Sequence, residues 1–308
     1  MERIVLAYSG GPRSSAAIPW LLESDAHRSR HDEVVAVTVD LGQRVVLEGV
    51  RHRAMASGAT RAHVLDRREA YVRRFLLPVI QSGAAARSLG GDDHASVAEA
   101  IGRALIAQAL VEIAHIEGAS AVAHAAAGAK DRARIAAAVG TLDRALRVVS
   151  VTADWPFGAA GPAFETFAKA HGIPVADDAV AARPTSSEPV FVTLEFRAGV
   201  PVAANGVEMD LIELPESLEI IAAAQGVSGI AALADAHGAV QRRVQPAALA
   251  ASMDAKRHEY AMLVDSGRWF TPERQEIDAA MAALQADVTG AARLKLLNGT
   301  CEVIDSVQ

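Results

Sequence analysis

Short apolar runs alternate with helix-like segments through the first part of the chain. The apolar runs are continuous, which is typical of strands that are covered on both faces. Strands are predicted at Ile4–Tyr8, Val34–Asp40, Ala62–Leu65, Ala121–His124 and Val148–Val151. Helices are predicted between them, at Ser14–Leu22, Leu47–Ser57, Arg68–Leu76, Val97–Glu117 and Asp131–Val139. This order predicts an α/β fold with a doubly wound parallel sheet, whose ligand lies beyond the carboxyl ends of the strands.

The pattern changes at Arg183–Pro189, where prolines and small polar residues predict a linker. Val190–Phe196 then alternates like a half-buried antiparallel strand. Further elements are predicted as a strand at Pro201–Ala204 with an Asn205-Gly206 turn, helices near Glu216–Ala224, Ala247–Ser266 and Pro272–Val288, and a hairpin of Arg293–Leu297 and Glu302–Ile304. We therefore expect a nucleotide-type domain over 1–183 and a second, α+β domain over 189–308.

Composition narrows the class of protein. Apolar residues make up 51% of the chain but aromatic residues only 4%, so the core must be built from Ala, Val, Leu and Ile. The net charge of -7 argues against general binding to nucleic acid or to an anionic membrane. Cys301 is the one cysteine, which excludes an intrachain disulfide and favours a reducing compartment. With neither a long apolar run nor a signal-peptide pattern at the N-terminus, we expect a cytoplasmic protein.

The segment from Ala7 to Ser15 carries the clearest chemistry. It reads AYSGGPRSS and lies between the first predicted strand and the first predicted helix. Two glycines let successive backbone N–H groups point into one concavity, and the hydroxyls and the helix N-terminus add donors, so the segment can cradle a phosphate or pyrophosphate. An ordinary strand-to-helix turn with Ser14 as the N-cap is the alternative. Neither a Walker A loop nor a dinucleotide fingerprint is present.

The position of this loop resembles the opening of the PP-loop ATP pyrophosphatases. Within that superfamily, IVLAYSGG and VVAVTVDLGQ resemble the argininosuccinate synthase family. The resemblance continues in the same order along the chain, at Leu77–Ala84, Ala104–His124, Ala168–Val175, Phe196–Gly206, Glu259–Asp278 and Val288–Gly299.

This resemblance implies an adenine nucleotide alpha hydrolase-like fold and ATP as cofactor. In the family, the ureido oxygen of citrulline attacks the α-phosphate of ATP and releases pyrophosphate, and the amine of aspartate then displaces AMP. The resemblance assigns the ATP phosphates to a set of loop residues, namely Ala7, Tyr8, Ser9, Gly10, Gly11, Arg13, Ser14 and Ser15. It assigns Val39 to the adenine or ribose.

The sequence departs from the family where the chemistry occurs. The family's loop acid is replaced by Arg13, which can pair with phosphate or face solvent, and this leaves the use of Mg²⁺ open. The family's citrulline-binding tyrosines are absent from the corresponding segment at 87–96, and its serine-bearing insertion is reduced to Ala176–Glu188. Arg103 stands where the family has an arginine, as a retained ligand or as a surface residue of a helix.

The family's aspartate-binding segment is replaced by HAAAGAKDRARI, from His124 to Ile135. With one residue deleted, Asp131 and Arg134 align with the family's Asp and Arg. Lys130, Arg132 and Arg134 form a basic cluster at the start of a helix, where cations oppose the helix dipole. The cluster predicts an anionic ligand or, alternatively, a solvated charged turn. No histidine has the spacing of a metal site, and no catalytic residue can be assigned.

Three functions remain open. The first is an ATP-dependent, AMP-forming ligase that adenylates a ureido, amide or carboxyl acceptor other than citrulline.

 The substrate of this ligase is expected to be a small molecule, an amino acid or a derivative of one. The second is a catalytically inactive relative that keeps the fold to bind a nucleotide or a partner protein. The third is the family's own reaction. The chain ends at Gln308 without the family's C-terminal arm, which argues against the family's tetramer and leaves another homo-oligomer open.

Overall fold

The computed structural model describes residues 2–23, 33–42, 47, 49–85, 93–156, 160–175 and 188–307. Most of the predicted linker, residues 183–187, lies outside them. The chain divides into two compact units, and each is described by itself. The first comprises the described parts of Met1–Arg67 and Arg103–Ala179, and the second those of Arg68–Gly102 and Val180–Gln308.

A five-stranded parallel sheet forms the centre of the first unit. Its strands lie in the order β3-β2-β1-β4-β5, and every neighbouring pair is parallel. The strands are β1 (Arg3–Ala7), β2 (Glu33–Asp40), β3 (Arg61–Asp66), β4 (Ala121–His124) and β5 (Arg147–Ser150). Each agrees with its predicted range to within one residue at either end. The chain order reverses between β1 and β4, and ligands of such sheets bind at that point, beyond the carboxyl ends of the strands.

Helices cover the sheet of the first unit. They are α1 (Pro12–Glu23), α2 (Val50–Ala56), the part of α5 (Asp93–Glu117) from Arg103 onward, α6 (Ala129–Leu142), α7 (Val151–Asp154) and α8 (Pro162–Ala170). Helix α1 begins at Pro12, a favourable residue there because the first turn needs no N–H from it. Its buried side chains, including Ile18 and Leu21, pack with Ile4 and Leu6 of β1 in one apolar core. The α/β prediction is confirmed.

Residues 68–102 belong to the second unit, although the predicted first domain, 1–183, includes them. Helices α3 (Arg68–Tyr71) and α4 (Leu77–Ser82) flank a π-helical turn at Val72–Leu76, and all three belong to the second unit. Phe75 of this turn stacks on Trp269 with ring centroids 4.8 Å apart. That partner is almost two hundred residues away in the chain, so a division into consecutive halves does not capture the contact.

An antiparallel sheet in the order β10-β9-β6-β7-β8 forms the second unit. Its strands are β6 (Val190–Arg197), β7 (Val200–Ala204), β8 (Val207–Glu208), β9 (Gly290–Leu297) and β10 (Thr300–Val307). The alternating residues Val192, Leu194 and Phe196 are buried, as their pattern predicts. Its further helices are α9 (Glu213–Ala223), α10 (Gly229–Val244), α11 (Ala247–Asp265) and α12 (Pro272–Ala282). The predicted α+β character is confirmed, although α10 was not predicted and α12 ends earlier than predicted.

None of the helices in the described part of the chain is long and apolar enough to cross a membrane.

Candidate functional site

The loop after β1 begins at Tyr8 and leads directly into α1 at Pro12. Tyr8 donates its backbone N–H to the carbonyl of Val37 in β2 at 2.8 Å. The Tyr8 carbonyl accepts a hydrogen bond from the hydroxyl of Thr38 at 2.8 Å. These two bonds fix the start of the loop to the neighbouring strand. The loop therefore lies at the carboxyl ends of β1 and β2, the edge where a parallel sheet binds its ligand.

Hydroxyl groups hold the loop in shape. The Oγ atoms of Ser9 and Ser14 are 3.1 Å apart, and Ser14 Oγ donates to the carbonyl of Gly11 at 3.0 Å. The hydroxyls of Tyr8 and Ser15 share a hydrogen bond of 2.9 Å. Because α1 begins at Pro12, Ser14 lies inside its first turn and bonds back into the loop. The N-cap role that the alternative interpretation gives to Ser14 is therefore wrong, while the phosphate cradle itself stays a prediction.

Gly10 is the loop residue that lies against the side chain of Arg53. Its φ of +80° favours glycine, and a Cβ added there would lie 2.9 Å from Nη2 of Arg53, closer than real contacts allow. Arg53 belongs to α2, and a Cβ at Gly49 would likewise lie 3.4 Å from its Nη1. The exposed side chain of Arg53 thus brings its guanidinium against the loop. We did not predict this residue; the available signal was a basic segment in the helix that follows β2.

The other residues assigned to the nucleotide lie at the same edge. Ala7 is the last residue of β1 and lies in register with Val37 of β2 and His124 of β4. Val39 is buried near the end of β2. Arg13 is half-exposed in the first turn of α1. Their contacts with ATP remain predictions.

Arg103, Asp131 and Arg134 come together in one ion-pair cluster. The Asp131 carboxylate accepts from Nε and Nη2 of Arg103 at 2.9 and 2.7 Å, and from Nη1 of Arg134 at 2.9 Å. The side chain of Arg134 is 1% exposed, whereas that of Arg103 is 37% exposed. Burial alone would raise the pKa of Asp131, but the hydrogen bonds and charges of the two arginines outweigh it and lower that pKa.

The ion pairs of this cluster argue against the alternative interpretation, in which the cations at the start of α6 form a solvated charged turn. Arg134 is buried in contact with a carboxylate, so the predicted set of cations does not simply face water. Arg132 donates to the carbonyl of Ala127 at 2.5 Å and is half-buried. Two guanidinium groups share the single carboxylate of Asp131, which leaves the start of α6 positively charged. An anionic ligand at this position stays a prediction.

His124 joins the two parts of the site. It ends β4 beside Ala7, and its side chain is buried at 2% exposure. Burial, aided by the charges of Arg132 and Arg103 and opposed by Asp131, lowers the pKa of His124 to about 4. The imidazole is therefore neutral at pH 7. Its Nδ1 accepts a long hydrogen bond from the N–H of Ala126 at 3.4 Å.

A resident metal centre has no support in the described ranges. No group of three or more His, Cys, Asp or Glu side chains there could hold a metal ion. Asp40, at the end of β2, accepts a hydrogen bond from the N–H of Gly42 at 2.9 Å. That the histidines hold no metal ion stays a prediction.

Two family models match most of the chain. The model described as "Arginosuccinate synthase N-terminal HUP domain" matches residues 3–174, and the model described as "Arginosuccinate synthase C-terminal domain" matches residues 228–306. The chain is similar to the argininosuccinate synthase of Moorella thermoacetica, with 31% identity over 97% of this chain and 85% of the relative. It is similar to that of Maricaulis maris, with 32% identity over 99% and 86%. The argininosuccinate synthase of Streptococcus suis is 29% identical over 98% and 87%.

Proposed function

The chain belongs to the argininosuccinate synthase family, and from this premise we propose that it is an ATP-dependent, AMP-forming ligase whose acceptor is not citrulline. In the proposed reaction, an oxygen of a ureido, amide or carboxyl group attacks the α-phosphorus of ATP, and pyrophosphate leaves. An amine then attacks the activated carbon, and AMP leaves. The acceptor is a small molecule, an amino acid or a derivative of one, and the reaction takes place in the cytoplasm.

The loop after β1 is the observation that carries the nucleotide part of the proposal. Gly10 has a φ of +80°, which glycine adopts without strain, so the backbone can make the tight turn that a phosphate-binding loop needs. The N–H of Gly11 lies 3.4 Å from Ser9 Oγ, a long hydrogen bond that a phosphate oxygen can replace. The N-terminus of α1 points to the same place and favours an anion. These features fit the phosphate chain of ATP.

The acceptor end supports a substrate other than citrulline. The segment at 87–96, which corresponds to the family's tyrosine-bearing segment, carries no tyrosine, and the family's serine-bearing insertion is reduced to Ala176–Glu188. At the start of α6, Asp131 is already bonded to both Arg103 and Arg134. A pocket that loses several charge-assisted bonds, each worth about 1.5–3 kcal/mol, cannot retain its original ligand. Arg103 keeps part of its surface exposed and can meet a carboxylate of a different acceptor.

Mg²⁺ is expected only as an ion that accompanies ATP. Its preferred ligands are oxygens, and the phosphate groups of the nucleotide would supply several of them. No protein residue is assigned to it, and the proposal needs no step through a metal bound to side chains.

ATP–pyrophosphate exchange tests the proposal. Purified protein is incubated with ATP, labelled pyrophosphate and one of a panel of amino acids, ureido compounds and amides, with citrulline as the comparison. We expect exchange with at least one member of the panel and none with citrulline. Exchange with citrulline alone would contradict the proposal and show that the chain catalyses the family's own reaction.

An inactive nucleotide-binding relative is the second candidate. The mutual pairing of Asp131 with Arg103 and Arg134 favours it, because side chains that satisfy one another need no substrate. It predicts ATP binding by calorimetry without exchange for any member of the panel. Absence of both ATP binding and exchange would contradict both candidates.

A further inference from the structure

We propose that Arg53 is a pyrophosphate-binding residue, whose guanidinium contacts the phosphate chain of ATP at the Ser9-Gly10-Gly11 loop. The inference deepens the proposed function and rests on it, because it presupposes that this loop binds the nucleotide. Neither the loop sequence nor the family resemblance assigns a role to Arg53.

The geometry of two glycines supports the assignment. Nη2 of Arg53 lies 2.9 Å, and Nε 3.6 Å, from the position that a Cβ of Gly10 would occupy. Gly49 has a φ of +72°, and a Cβ there would lie 3.4 Å from Nη1 of Arg53. The guanidinium therefore lies beside two glycines, each in a different segment of backbone. One of these segments is the loop that would hold the phosphates.

The position of Arg53 on α2 separates it from the core of the unit. Helix α2 buries Val50 and Ala54, whereas the side chain of Arg53 is exposed. Its backbone is held at the start of the helix by a hydrogen bond from its N–H to the carbonyl of Gly49 at 2.9 Å. The helix thus presents the charged end of an accessible side chain to the loop, where a ligand can reach it.

The chemistry of the ligand calls for such a group. The loop backbone offers neutral N–H donors, while a pyrophosphate group carries several negative charges. A guanidinium is always charged at neutral pH, and its planar set of donors matches phosphate oxygens in a bidentate manner. Arg53 would add the positive charge that the backbone donors lack.

Calorimetric titration with inorganic pyrophosphate, ATP and AMP tests the assignment. The variant Arg53→Ala is compared with Arg51→Ala, which removes the same charge from an exposed position of the same helix. Residues two apart do not share a helix face, so Arg51 is a matched control. We expect the Kd for pyrophosphate and for ATP to rise at least about tenfold in Arg53→Ala and to stay near the original value in Arg51→Ala. The Kd for AMP, which lacks the pyrophosphate group, should be equal in both variants.

Other outcomes overturn the inference in distinguishable ways. If ATP binds the unaltered protein and Arg53→Ala binds it as well or more tightly, Arg53 is not a phosphate ligand, although the proposed function stands. If the affinities for AMP and ATP fall by the same factor, the contact is not with the pyrophosphate group. If the unaltered protein binds neither ATP nor pyrophosphate, the proposed function itself fails. Circular dichroism verifies that each variant is folded.

Discussion

Asp131 is the residue on which the positive end of the candidate site depends. It accepts hydrogen bonds from Arg103, which is partly exposed, and from Arg134, which is buried. The arginines outweigh the effect of burial and lower the pKa of Asp131. A group whose pKa is lower in the folded state stabilises the fold above its unfolded pKa, and that contribution is lost as the pH falls through the folded pKa.

Replacing Asp131 therefore has a predictable cost. We expect Asp131→Asn to lower the free energy of unfolding at pH 7 by about 1.5–3 kcal/mol, because charge-assisted bonds to two arginines are lost. The difference from the unaltered protein should shrink in acid, once the carboxyl is protonated in both states. Urea unfolding at a series of pH values measures this. Glu165→Gln, an exposed carboxylate in the same unit, serves as the control and should change stability by a few tenths of a kcal/mol. A deficit that does not depend on pH would contradict the ion-pair explanation.

At the scale of elements, α10 shows how close packing selects glycine. Gly229, its first residue, donates its N–H to the carboxylate of Glu219 in α9 at 2.7 Å. A Cβ at Gly229 would lie 2.8 Å from Cα and 2.9 Å from the backbone N of Glu219. Helices α9 and α10 thus approach each other with no room for a methyl group. Gly238, later in α10, would meet only the flexible end of Arg242, at 3.3 Å.

The two glycines of α10 should respond oppositely to the same substitution. We expect Gly229→Ala to destabilise the protein by about 1–3 kcal/mol, because backbone atoms of α9 must move to admit the methyl group. Gly238→Ala should leave stability unchanged or raise it by up to about 1 kcal/mol, since alanine favours a helix interior. Urea unfolding followed by circular dichroism compares the pair. Equal effects at both positions would mean that the approach of α9 and α10 is not the limiting contact.

At the scale of the whole molecule, each unit buries a histidine that is uncharged at neutral pH. His124 lies in the first unit and His237 in the second. Burial lowers the pKa of His237 to about 4, with a small further effect of Arg257 and an opposing hydrogen bond to Gln285. That bond joins His237 Nε2 and Gln285 Oε1 at 2.8 Å. For His124 the pKa is likewise about 4. In the unfolded chain both imidazoles would take up a proton near pH 6.5.

Acid should therefore destabilise both units. A histidine with a lowered folded-state pKa contributes fully above about pH 6.5, and this contribution declines as the pH falls toward 4. We expect the free energy of unfolding to fall steadily between these values. His237→Gln should have a shallower pH dependence over that window than the unaltered protein, and His52→Gln, which removes an exposed imidazole, should match the unaltered protein. Denaturant titrations from pH 7.5 to 4 measure the slopes. An unaltered slope in His237→Gln would contradict this explanation.

Much of the fold was predictable because it depends on local patterns. Continuous apolar runs placed β1 to β5 within a residue of their observed ends, and Asn205-Gly206 marked a hairpin turn by its need for positive φ. Helix α10, which is buried on nearly every side, was not predicted, and Gly238 within it weakens the local signal for a helix. Its identity as a helix depends on what surrounds it.

The sequence by itself determined the family, the parallel sheet and the position of the phosphate-type loop, because motifs and periodicity are properties of consecutive residues. Only the tertiary structure decided which distant side chains meet. It paired Asp131 with Arg103 across 28 residues and brought Arg53 against Gly10 across 43. Such contacts depend on how strands and helices are placed side by side. No local pattern in the sequence determines the order of the strands in a sheet. The physical reason is that side-chain pairing is set by distance in space, which the chain's order constrains only weakly.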